Sequence, residues 1–266
     1  MSATCRALLA LSLVAGAAHS QPRPQIGNGV KHARASITAI AASATRAQLL
    51  VTLAIDPGWH VSWRNPGETG LPTRLSWNLP IGVRVASESG PVPVIAHTSV
   101  GATHTLVGDV PWLVEFAIDS ASAADRLVSL TMRYGVCRDV CIPEQLTVQG
   151  VLPGQRTTAL ASVPPTLRAR LAADAGVIAA RRRTPTEVCF ARVPLSAGVA
   201  LPDVVADSGL GLDAALQLRA QNHVFVMNIP AASSLATGSM VLFVRGAAGV
   251  TARLDFTRKA AGCSTP

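Results

Sequence analysis

Aromatic residues are scarce in this 266-residue chain, at 4% of positions with a single tyrosine, and charged residues reach only 14%. The formal charge of +8 raises nucleic acid as a partner. Against that, the basic residues are nearly all Arg and lie scattered, with one run at Arg181-Arg182-Arg183. With no cationic stripe and few rings to stack on bases, the excess reads as a solvated surface. Four methionines, one of them the initiator, do not cluster, which argues against a methionine-built copper site. G-x-S-x-G, P-loop and H-E-x-x-H motifs are all missing, so serine-hydrolase, nucleotide and zincin chemistries lack their signatures. Past residue 20 no apolar stretch approaches the roughly 20 residues of a membrane helix, and a soluble mature chain is expected.

The N-terminus does hold a short apolar run. Arg6 precedes Ala7 to Ala18, then Ala18-His19-Ser20 leads into a Pro-rich segment, the pattern of a secretory signal peptide over residues 1–20 cut near Ser20. Export to the periplasm follows as the expectation, with residues 21–32 as a flexible N-terminal segment. No Cys stands right after the run, so a lipid anchor is not expected. Removing Arg6 leaves 22 basic against 15 acidic residues, or +7. Cys5 leaves too, and Cys137, Cys141, Cys189 and Cys263 remain. Four cysteines in an oxidising compartment suit two disulfides, and sequence alone leaves three pairings open.

Alternating apolar residues mark strands through most of the chain: Leu49, Val51, Leu53 and Ile55; Trp59, Val61 and Trp63; Leu75, Trp77 and Leu79; Trp112, Val114, Phe116 and Ile118; Val128, Leu130, Met132 and Tyr134. Turn residues punctuate them, as at Asp56-Pro57-Gly58 and along Arg64 to Pro72. Short strands joined by such turns predict an all-β fold, with a β-sandwich over residues 33–155. After Pro164-Pro165, Leu167, Leu171, Ala175 and Ile178 recur at helical spacing, which predicts a helix over residues 166–181 inside a linker spanning 156–184. Alternation returns from Val188 onward, giving a second, smaller β domain over 185–266.

The chemistry concentrates in Tyr134-Gly135-Val136-Cys137-Arg138-Asp139-Val140-Cys141-Ile142-Pro143-Glu144. Two cysteines four apart at a strand end can come within disulfide reach. A bridge closing so small a loop removes little unfolded-state entropy, so it is a poor staple and better explained as a bond that opens and closes. Exchange requires a thiolate; Arg138 favours one, while Asp139 and Glu144 oppose it or accept its proton. On spacing alone, a redox pair, a static bridge and a metal site all remain open.

Gly58-Trp59-His60, Trp63-Arg64-Asn65-Pro66-Gly67, Gly70-Leu71-Pro72-Thr73, Trp77, Leu79-Pro80 and Gly82, followed by Cys137-x-Asp139-x-Cys141-Ile142-Pro143-Glu144, together resemble the N-terminal periplasmic domain of the DsbD family. Within it they are most similar to the branch of ScsB, the suppressor of copper sensitivity. The resemblance covers about residues 33–155. It implies an immunoglobulin-like sandwich whose pair takes electrons from a DsbD-type membrane donor and passes them to periplasmic thiol proteins. It further implies that Cys141 attacks and Cys137 resolves. Three departures stand out. The chain shows neither a membrane electron channel nor a thioredoxin-like domain, so reducing power would come from another protein. Ser62 stands where the family usually has an aromatic residue. The stretch Ile95 to Val107, where the family's cysteine-capping loop would fall, contains no aromatic residue.

The remaining candidates read mostly as structural. His60, without a paired acid or nucleophile in sequence, reads as a histidine bonded to the neighbouring loop. His97 and His104 lie on the cap stretch and would, with the cysteines, suit Cu(I) or Zn(II), though neither a metal nor a cofactor is assigned. Trp59, Trp63, Trp77 and Trp112 read as core. The expected function is periplasmic thiol-disulfide interchange through Cys137 and Cys141. Its competitor is a copper-handling or chaperone-like binding module with a static or metal-binding pair.

Overall fold

The computed structural model describes residues 31–99, 101–119, 124–154, 160–191, 203–208, 218–221, 224–228, 237–243, 249–257 and 260–263. The expected leader over 1–20, its cleavage near Ser20 and residues 21–30 of the N-terminal segment lie outside them. Lys31 and His32, the last two of that segment, are tied down: Lys31 Nζ donates to the Gln145 carbonyl at 3.0 Å, and Asp56 N–H donates to the His32 carbonyl at 2.9 Å.

Ten strands build the first part: β1 (Ala33–Ala42), β2 (Arg46–Ile55), β3 (His60–Gly67), β4 (Arg74–Asn78), β5 (Val83–Ser89), β6 (Val94–Thr98), β7 (Gly101–Leu106), β8 (Asp109–Ile118), β9 (Arg126–Cys137) and β10 (Cys141–Leu152). One antiparallel sheet runs β1-β2-β8-β5, and a six-stranded sheet runs β10-β9-β3-β7-β6 with β4 also on β9. Period-2 patterning decides which face each strand buries. Leu49, Val51 and Leu53 of β2 and Val114 and Phe116 of β8 meet Val61 and Trp63 of β3 and Leu130, Met132 and Val136 of β9 in one core. Trp77 of β4 sets its edge against Phe116 across the two sheets, ring centroids 5.0 Å apart. Each large side chain buried this way contributes about 1.5 to 3 kcal/mol. The result is the expected all-β, immunoglobulin-like sandwich.

The helix expected over residues 166–181 does not form. A single helical turn, α1 (Pro165–Arg168), is followed by β11 (Ala173–Thr184). Apolar spacing through an alanine-rich stretch fits either period; long-range pairing selects the strand, because β11 gains ladders on both sides. Beyond it come β12 (Glu187–Ala191), β13 (Asp203–Ser208), β14 (Leu218–Gln221), β15 (Val224–Asn228), β16 (Thr237–Phe243) and β17 (Gly249–Asp255). These make a seven-stranded sheet ordered β13-β16-β17-β11-β12-β15-β14, with β11 parallel to β17 and antiparallel to β12. The short connection before β11 is fastened to the sandwich rather than free. Arg170 donates to the Val107 carbonyl at 2.6 Å and to that of Asp109, while Ala172 N–H donates to Gly90 O at 3.0 Å. A disulfide joins Cys189 and Cys263, both buried, and resolves the pairing that spacing left open.

Among the described residues no helix is long and apolar enough to cross a membrane.

Candidate functional site

Strands β9 and β10 form a hairpin in unbroken register from Arg126↔Leu152 to Cys137↔Cys141. Their last pair is the cysteine pair itself, disulfide-bonded, with Cα atoms 4.1 Å apart. Arg138, Asp139 and Val140 make the connecting turn, closed by Arg138 N–H donating to Val140 O at 3.3 Å. All three turn residues are exposed, and so is Cys141, whereas Cys137 is only 2% exposed. The disulfide therefore has one sulfur-bearing residue open to a partner and one covered by the fold.

Trp59, just before β3, organises the turn. The Arg138 guanidinium carbon lies 5.2 Å from the Trp59 ring centroid, and His32 stacks on the same indole at 3.7 Å with an interplanar angle of 10°. His32 Nδ1 lies 3.3 Å from Asp56 Oδ2, and Arg34 donates to Asp56 Oδ1 at 2.7 Å. Arg138 Nε also donates to Asp139 Oδ2 at 3.2 Å. A cation held over an aromatic face keeps its charge beside the cysteines instead of sweeping through solvent. Trp59 is thus only partly core, and His32, inside the segment expected to be flexible, is a residue that the sequence reading missed. Nothing local signals its stacking.

The face of the six-stranded sheet that carries the pair is covered by the chain between β3 and β4. Asn65 Oδ1 accepts from Gly67 N–H at 3.1 Å, and Thr73 N–H and its hydroxyl donate to the carbonyls of Trp63 and Ser62. This folds Gly70 onto Ser62 and Leu71 onto Gly135. A Cβ at Gly70 would stand 2.4 Å from Ser62 Oγ, and one at Gly135 would stand 2.7 Å from Leu71 Cβ. An aromatic ring at position 62 has no room beneath such a loop, which accounts for serine there. The stretch Ile95 to Val107 does not cap the pair. It forms the β6-β7 hairpin in the plane of the sheet, with β3 between it and β9.

Other candidates separate from the pair. His104 is fully buried, and its Nδ1–H donates to Asn65 O at 3.0 Å; His97 is exposed on β6. Neither joins the cysteines, and no group of three or more His, Cys, Asp or Glu suited to a metal occurs among the described residues. Glu144 pairs with Tyr134, one position out of phase with the cysteines, so strand alternation turns it to the other face. There it accepts the Tyr134 hydroxyl at 3.0 Å, and burial together with that carboxylate pushes the tyrosine pKa up. His60 is the residue whose place differs most from expectation. It lies directly opposite Cys137 in the ladder, and no bond from its ring to the loop is found among the described residues.

The chain thus presents an asymmetrically exposed disulfide on the last hairpin rung of an immunoglobulin-like sandwich. Residues 30–153 match the family model of the thiol:disulfide interchange protein DsbD, N-terminal. The N-terminal periplasmic domain of ScsB from Proteus mirabilis shares the fold at 19% identity and a TM-score of 0.56, over 86% of this chain and 95% of that one. The reduced DsbD N-terminal domain from Neisseria meningitidis aligns at 14% identity over 44% of this chain and 84% of that one, but with a TM-score of 0.25 adds nothing on fold. No curated protein sequence matches the chain.

Proposed function

We propose that the chain is a periplasmic thiol-disulfide interchange module working through Cys137 and Cys141. In this reading Cys141 attacks a partner's disulfide and Cys137 resolves the mixed disulfide. The observation that carries it is the asymmetry of the pair: Cys141 is exposed, and Cys137 is buried at the end of a central strand. Attack needs an accessible sulfur, whereas resolution needs one held beside it and shielded from competing thiols. Arg138, kept beside the pair by Trp59, favours the thiolate of the reduced form. The match of residues 30–153 to the DsbD N-terminal family model supports interchange as the chemistry. The partners are periplasmic thiol proteins as clients and a separate dithiol donor, in the manner of a DsbD-type membrane protein, as the source of electrons. The redox unit spans 33–155, and the second β unit, expected from 185, takes in β11 as well, since that strand lies inside the seven-stranded sheet.

Trapping tests the assignment. In cells, Cys137→Ser should accumulate mixed disulfides on non-reducing gels after acid quenching, because nothing remains to release the partner. Cys141→Ser should accumulate far fewer. Equal trapping by both variants would remove the assignment of roles. No trapping together with a potential below about −300 mV, the range of inert structural bridges, would remove the exchange function and leave a static pair.

A further inference from the structure

The position of His60 carries an inference that rests on the exchange reading above. His60 on β3, Cys137 on β9 and Cys141 on β10 occupy one rung across three neighbouring strands, since His60 pairs with Cys137 and Cys137 with Cys141. Directly opposed residues share a face, with Cβ atoms about 4.5 to 5.5 Å apart. His60 is half-buried, and no hydrogen bond to its ring is found among the described residues. His32 and His104, by contrast, are committed to Asp56 and Asn65. Among the described residues, neither His60 ring nitrogen has the structural bonds that usually explain a half-buried imidazole.

We propose that His60 is the proton acceptor for the Cys137 thiol in the step that resolves the mixed disulfide between Cys141 and a partner. The need is local. Cys141 is exposed and exchanges its proton with water, but Cys137 is buried, and a buried thiol does not ionise readily without a base beside it. Charged groups around the rung are Arg138 and Asp139 in the turn and Asp56, His32 and Arg34 gathered about Trp59. Burial lowers the His60 pKa from its ordinary 6.5, which keeps the ring neutral and able to accept a proton at neutral pH.

An external dithiol donor first reduces the pair. The Cys141 thiolate attacks a partner disulfide, whose S–S bond breaks and releases one partner thiolate. Cys137 then passes its proton to His60, and its sulfur attacks Cys141 Sγ. The bond from Cys141 to the partner breaks, and the second partner sulfur leaves with the electron pair and takes up a proton from the imidazolium or from water. The partner gains two electrons and two protons, and the Cys137-Cys141 disulfide is restored.

Stopped-flow reaction of the reduced full chain with one equivalent of 5,5′-dithiobis(2-nitrobenzoate) separates the two events. The first thionitrobenzoate reports attack by Cys141, and the second reports resolution by Cys137. His60→Gln should leave the first phase unchanged and slow the second on the order of 100-fold, the lower end of general-base effects. In the wild type the second phase should slow as pH falls through the His60 pKa, because the protonated ring cannot accept. In His60→Gln that inflection should vanish, leaving a rate that climbs with pH as the thiol itself ionises. An unchanged second phase, a retained inflection, or equal slowing of both phases would overturn the proposal; the last would mark His60 as merely structural. Normal two-phase behaviour with this reagent but no trapped client in cells would count against the proposed function while leaving the role of His60 intact.

Discussion

The two disulfides should differ sharply in what they contribute to stability, and the difference can be worked from loop size. Cys189 and Cys263 are separated by 74 positions, Cys137 and Cys141 by 4. In the chain-entropy description, stabilisation grows with the logarithm of the closed loop, giving about 4.4 kcal/mol for the first and about 1.9 kcal/mol for the second at 25 °C. Cys189 and Cys263 also lie in a small core with Val224 and Val226, so their removal loses packing as well. The perturbations are the double variants Cys189→Ala with Cys263→Ala, and Cys137→Ala with Cys141→Ala. Urea unfolding would be followed by two signals. All four tryptophans, at 59, 63, 77 and 112, precede β11, so their fluorescence reports the sandwich, while far-ultraviolet circular dichroism reports every sheet. Loss of the long-range bridge should lower the dichroism transition by about 4 kcal/mol. Loss of the short one should lower the fluorescence transition by about 2 kcal/mol or less. Equal losses, or a larger loss at Cys137 and Cys141, would refute the reasoning that the short bridge is not a staple.

Two further perturbations probe the surroundings of the pair. Gly135→Val puts side-chain atoms where Leu71 already packs, and should lower the melting transition by the equivalent of about 1 to 3 kcal/mol, read by calorimetry. Arg138→Gln removes the cation held over Trp59, destabilises the reduced thiolate form and should make the potential more negative by about 20 mV in a glutathione titration, taking about 1 kcal/mol for an exposed charge contact.

Much of the sandwich was legible because its signal is local. Alternation at Leu49 to Ile55, Trp112 to Ile118 and Val128 to Tyr134 reads directly as β2, β8 and β9, with the expected faces buried. The cysteine pair was legible for the same reason, since a three-residue turn can set its two flanking residues opposite each other on one rung. The connecting helix failed where local signal is ambiguous. Leu167, Leu171, Ala175 and Ile178 fit a helical period, yet Gly176 takes a φ of 73° and the register slips between Asp174 and Val177 against a strand some 75 residues downstream. No local pattern encodes that partner. The place of His60 was not legible on similar grounds, because its opposition to Cys137 closes only when β3 and β9 pair.

That register also bears on how the pair works. Twelve consecutive cross-strand pairs run from Arg126↔Leu152 to Cys137↔Cys141, so the ladder, and not the sulfur bond, sets the distance between the two cysteines. Reduction leaves their backbones where they are, and the thiols stay adjacent at high effective concentration. Re-closure then needs no search, which suits a resolving step that must outrun competing thiols. The bond Cys189-Cys263 is arranged the other way. Cys263 follows β17 and belongs to no ladder; its backbone is held by Cys263 N–H donating to Ala260 O at 3.4 Å and by Arg181 donating to Cys263 O at 3.3 Å. There the sulfur bond itself fixes the tail against β12, and opening it would release the constraint. A bond that the fold makes redundant can be opened and remade, whereas one that the fold depends on cannot, and in this respect the proposed exchange pair differs from Cys189-Cys263.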